Sequence, residues 1–159
     1  MKKLQQLLLL AVCLLTTNLS FAQWEKKEYI DEFGDGTGEF YETFTAIGTF
    51  SNSATVNSEA SYKFVKDESS LILKIFEYGS RPATSIESTS EIVKIKTPSG
   101  NVVEIKGVLF SKSGLLFFSA DAFTTVVETM KEVGKHTMIF DKSGKYSKSS
   151  YKLKFEITE

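Results

Sequence analysis

Cysteine is almost missing from this chain: Cys13 is the only one in 159 residues, and it falls within the first 22. The remainder therefore has no disulfide, no thiolate nucleophile and no cysteine metal site, and its core must hold by packing alone. Histidine is equally scarce. His136 is the only one, which excludes a single-chain hydrolase built on a His-activated nucleophile and a zinc site with the usual ligands. Its place at the start of a predicted strand suits a surface or helix-terminal imidazole. Arg81 is the only arginine and there are two prolines. There is no long hydrophobic run either. The longest, residues 7–15, has nine residues, against the roughly 18 or more that span a bilayer.

That run lies in a secretory layout, with Lys2 and Lys3 before it and Ser20-Phe21-Ala22 after it. Residues 1–22 are expected to be a signal peptide cleaved after Ala22, and residues 23–159 to form one domain, exported to the periplasm or secreted. A lipoprotein is disfavoured, because processing wants a small residue before the cysteine and Cys13 follows branched Val12. Removing Lys2 and Lys3 leaves 17 basic against 20 acidic residues, a net charge of −3. A nucleic-acid binder would carry a basic excess instead. With 42% apolar and 25% charged residues, the composition is that of a globular domain that does not span a membrane once mature.

What is present is chiefly alternation. Tyr151, Leu153, Phe155 and Ile157 alternate with Lys152, Lys154, Glu156 and Thr158, the pattern of a strand with one wet face. Pro98-Ser99-Gly100, Ser111-Lys112-Ser113-Gly114 and Asp141-Lys142-Ser143-Gly144 each separate two strand-like runs, giving three hairpins. Residues 40–50, 61–65 and 71–78 read as further strands, the last of them central, with polar connections at 51–61 and 80–90. Between 120 and 133, Phe123, Val126, Val127, Met130 and Val133 fall at helical spacing, with Ser119 or Asp121 as cap and Gly134 at the end. The expected fold is mainly β: an antiparallel β-sandwich with one amphipathic α-helix.

The acidic, glycine-rich stretch from Asp31 to Glu42 carries the most chemistry. Counting Asp31 as the first position of an EF-hand loop puts Asp35 at the fifth, Glu39 at the ninth and Glu42 at the twelfth, but Phe33 stands where a ligand is required. Asp31, Asp35 and Glu39 remain candidates for a looser calcium site. The competing reading is a solvated turn that needs no cofactor, with Phe33 pointing inward as its anchor. A carboxylate pair for glycoside hydrolysis is a further option, yet no residue is assigned a catalytic role. Ser149 and Lys152 match S-x-x-K only formally, since in a strand they point to opposite sides. Arg81, with Tyr78 shortly before it, is the candidate ligand-binding pair, because a guanidinium offers a bidentate fork that lysine lacks.

Asp31-Glu32-Phe33-Gly34-Asp35-Gly36-Thr37-Gly38-Glu39 and Gly48-Thr49-Phe50-Ser51-Asn52-Ser53-Ala54-Thr55 resemble motifs of an uncharacterised family of exported bacterial β-sheet proteins. That resemblance implies a small exported β protein and transfers no activity. A looser likeness is to the jelly-roll carbohydrate-binding modules, which implies exposed aromatics for sugar stacking among Trp24, Tyr29, Tyr41 and Tyr62. The reading that follows is a non-catalytic exported binding or accessory protein of the cell envelope. Its partner is an envelope or extracellular ligand, glycan or protein. The alternatives are a small carboxylate-dependent hydrolase and a structural or inhibitory envelope protein.

Overall fold

The computed structural model describes residues 20–22, 24–144 and 148–158; the body of the expected signal peptide, residues 1–19, lies outside them. The elements in chain order are β1 (Ser20–Ala22), β2 (Glu25–Ile30), β3 (Gly36–Asn52), β4 (Thr55–Lys66), β5 (Leu71–Glu77), β6 (Arg81–Pro82), β7 (Thr89–Lys96), β8 (Val102–Phe110), β9 (Leu115–Phe118), α1 (Ala120–Thr129), β10 (Gly134–Ser143) and β11 (Lys148–Ile157).

The expected sandwich is overturned. Strands β3, β4, β5, β9, β8, β7, β10 and β11 are neighbours in that order, and β11 then pairs with β3, so the sheet closes into an eight-stranded antiparallel barrel. Inward/outward alternation along each strand is the same in a sandwich and a barrel, and closure is what distinguishes them. Closure comes through four rungs, from Ser150 opposite Ser51 to Leu153 opposite Gly48. Gly48 makes the approach possible: a Cβ there would collide with the Lys152 carbonyl and Leu153. The Tyr62 hydroxyl donates to the Thr49 carbonyl beside this seam at 2.8 Å.

The interior is filled with side chains. Phe44 stacks on Phe64 at 4.3 Å, Phe155 lies against both, and Tyr151 is flanked by Phe140, Phe50 and Phe110. Tyr151, Leu153, Phe155 and Ile157 all face inward, as their alternation requires. Lys94, Lys96, Lys152 and Lys154 face outward, so the apolar side is the lumen, the reverse of a lipid-facing barrel. No helix among the described residues is long and apolar enough to cross a membrane.

Two connections cap the ends. After β9 the chain crosses one end through α1, whose buried residues are Ala122 and Val126; Met130, just beyond, is buried too. The helix is shorter than its apolar pattern, so Val133 stands exposed. Ser119 caps it, accepting from the Ala122 N–H at 3.4 Å. The serine hydroxyl occupies the space where Gly107, with φ of +75°, would otherwise carry a Cβ. His136 is buried under the helix end, with Nε2 3.2 Å from the Thr129 carbonyl and Nδ1 3.1 Å from that of Gly134. At the opposite end residues 78–88 cross from β5 to β7. This segment is more than a polar connection, because Ala83 is buried and its N–H donates to the Ile75 carbonyl at 3.0 Å. The region read as a polar link at 51–61 is likewise strand on both sides of a tight turn.

Candidate functional site

β2 and the first half of β3 leave the barrel as a two-stranded ribbon. Their register runs from Glu25 opposite Thr43 to Ile30 opposite Gly36, with an irregularity between Glu28 and Ile30. Every residue of β2 is exposed, as are residues 36–40 of β3. The ribbon tip is built by its own carboxylates. Asp31 Oδ1 accepts from the N–H groups of Phe33 and Asp35, each at 2.9 Å, and the Asp31 N–H donates to the Asp35 carbonyl. Gly34, at φ of +89°, takes the left-handed position such a turn needs. Glu28 Oε1 accepts from the Gly38 N–H at 2.9 Å, and its carboxylate lies where a Cβ of Gly36 would stand. The structure thus commits Asp31 to the backbone and spreads Asp35 and Glu39 along the exposed ribbon. Among the described residues no group of three or more acidic, histidine or cysteine side chains could hold a metal ion. Phe33 is not an inward anchor: it is 82% exposed, at the tip, and Ile30 beside it is 70% exposed.

The aromatic residues of the ribbon divide between its two faces, Tyr29 and Tyr41 on one and Phe40 on the other. Tyr29 and Tyr41 are in ring contact at 4.8 Å, and Lys26 Nζ sits 4.2 Å from the Phe40 ring centroid. At the ribbon base Trp24 packs edge-on against Phe44 under the Lys66 ammonium, which also pairs with Glu42 at 2.5 Å. Between β3 and the turn after β4 lies an open slot of about 720 Å³, lined by Tyr29, Phe40, Tyr41, Glu39, Asp67 and Glu68 among others. Of the aromatics that sugar stacking would require, Tyr29 is exposed and Tyr41 half-buried, while Tyr62 is wholly inside the barrel.

Tyr78 and Arg81 are near the other end. Tyr78 has a φ of +52°, an uncommon conformation for a bulky side chain, and its ring meets Phe50 edge-on at 4.9 Å. Arg81 lies opposite Glu77 across β5 and β6, exposed, and forms no ion pair among the described residues. Beneath them is a polar layer that sequence patterning missed. Tyr151 Oη donates to Glu77 Oε1 at 2.7 Å, and burial, reinforced by the Glu77 charge, raises the Tyr151 hydroxyl above its ordinary range. Tyr62 is raised likewise by burial. Glu91 and Lys142 are buried nearby; Glu91 accepts from the Ser143 N–H, and Lys142 donates to the Thr84 carbonyl and lies 5.3 Å from the Phe110 centroid. Lys142 and Glu91 fall on inward positions of their strands, so alternation alone could have flagged them. A second open groove, of about 740 Å³, runs instead over the outer faces of β7, β10 and β11, where Ile92 and Ile139 are exposed.

No protein family, curated protein or solved structure matches the chain.

Proposed function

We propose that this is a non-catalytic exported binding or accessory protein of the cell envelope, and that the β2–β3 ribbon is its binding surface. The observation that carries this reading is the exposure of Ile30 and Phe33 at the tip of an element that contributes little to the core. Apolar side chains clustered on a projecting element lose solvent-exposed area only when another molecule covers them. The Tyr29–Tyr41 pair on one face of the ribbon and Phe40 on the other, all beside the slot, support the same reading. The carboxylates of the polar layer have structural partners, Glu77 in Tyr151 and Glu91 in the Ser143 amide, and this favours binding over hydrolysis.

The test sets the purified protein, and a variant carrying Ile30→Ser and Phe33→Ser, against envelope glycans and envelope proteins. At least tenfold weaker binding by the variant, with unchanged thermal unfolding, is expected. Equal binding by both proteins would remove the ribbon from the function.

A further inference from the structure

Beyond the last β4 rung the ribbon has a backbone edge paired with no strand, its Gly38 and Glu39 N–H groups bonded to the Glu28 and Thr37 side chains, and, resting on the binding role proposed for it, the geometry points to strand addition there by an extended basic peptide segment of a partner protein. β3 begins at Gly36, but its ladder with β4 begins only at Glu42 opposite Lys66, where β4 ends and the chain turns away through Asp67. Residues 36–41 are therefore paired with β2 on one side and lie beyond the last β4 rung on the other. The slot of about 720 Å³ lies along that unpaired side, with residues 66–69 as its far wall. A strand entering it would continue the line of β4 and complete the hydrogen bonding of β3.

Two features select this occupant. First, residues 36–41 contain neither proline nor lysine, and the irregularity of the ribbon, with Gly38 at φ of +80°, falls before Phe40 and Tyr41. Second, the walls are acidic. Glu39, Glu42, Asp67 and Glu68 line the slot against Lys26 and Lys66, a balance of −2, with Lys66 paired to Glu42 and Lys26 over the Phe40 ring. A second copy of this chain pairing across a two-fold axis would bring those acidic walls together, which like-charge repulsion opposes. A segment alternating basic with apolar residues places its cations against Glu39 and Glu68 and its apolar side chains against Phe40, which points to the face opposite Glu39.

The experiment uses the full chain as recovered from the envelope of expressing cells. The probes are a capped peptide of about eight alternating lysine and valine residues, its glutamate/valine counterpart, and the lysine/valine peptide N-methylated at alternate positions. The lysine/valine peptide should bind and slow amide exchange within residues 37–41. Binding should weaken at least tenfold for the N-methylated probe, for the glutamate probe, and for the double variant Glu39→Lys, Glu68→Lys. Both substituted residues are exposed, so the variant should keep the parent unfolding temperature, and circular dichroism checks this. Absence of binding, equal binding of the N-methylated peptide, or protection confined to other strands would overturn strand addition. Protection of residues 37–41 that grows with protein concentration alone would assign the edge to self-association instead. If the Ile30/Phe33 variant loses its envelope ligand while the Glu39/Glu68 variant keeps it, the ribbon's binding role stands and the edge proposal falls.

Discussion

Asp67 and Gly48 each hold a junction that no apolar pattern announces. Asp67 closes the β4–β5 turn by accepting from the Ser69 and Ser70 N–H groups, at 2.8 and 2.7 Å, and from both serine hydroxyls. These bonds, the Ser69 amide first, hold its carboxyl below the ordinary range. A carboxyl whose folded pKa is depressed contributes stability above its unfolded pKa, about 3.9, and loses it as pH falls through the lower folded value. Asp67→Ala should therefore be less stable than the parent at pH 7. That difference should shrink below about pH 4, as parallel urea titrations would reveal. Gly48 acts through space: Gly48→Val forces β3 from β11 at the seam and should cost about 1–3 kcal/mol, the range for overpacking a close contact. Gly48 was legible only as a glycine inside a strand-like run. Its meaning depends on Leu153, a hundred residues away in sequence, so no local reading could supply it.

Elements were read best where one face is wet. β11 follows its alternation throughout, and the Pro98-Ser99-Gly100 hairpin forms with the Thr97 N–H on the Asn101 carbonyl and Gly100 at φ of +92°. β10, by contrast, runs through Asp141 to Ser143. Residues typical of turns are there recruited by pairing, Asp141 with Ser150 and Lys142 with Ser149. Asp141 also accepts from the Ser150 hydroxyl and pairs with Lys148, which lowers its pKa. The helix was legible in position and cap but not in contact face. Val126 is fully buried, while Val127 is only half-buried and Val133 stands beyond the helix end. Val126→Asp should thus destabilise the fold by several kcal/mol through an unpaired buried charge, and Val127→Asp distinctly less. A comparison of thermal midpoints that ranked the two equally would contradict the packing of α1 against the barrel.

At the scale of the whole molecule, sequence supplied the strands and the inward faces but not the closure. Local alternation states which side chains are buried together; whether the last strand meets the third is a long-range question of twist and register. The same limit hid the ribbon. Residues 25–30 have strand composition, residues 31–38 that of an acidic turn, and only the early end of β4 reveals that the first six residues of β3 have no neighbour on that side. This division should appear in the energetics. The eight barrel strands share one core, in which Leu73, Ile75, Val93, Ile95 and Leu153 have no accessible surface, so they should unfold as one cooperative unit. The ribbon shares little of that core. Its tip is held by a few hydrogen bonds at Asp31 and Glu28, all of them exposed. Amide exchange should therefore be fast at residues 28–40, through local opening well below the global unfolding free energy, and slowest in the centres of β4, β5, β7 and β11. Added urea should speed exchange in the barrel centres steeply, because reaching them exposes the core, while leaving the ribbon amides nearly unaffected. Ribbon amides as protected and as urea-sensitive as those of β5 would show that the ribbon is integral to the cooperative unit.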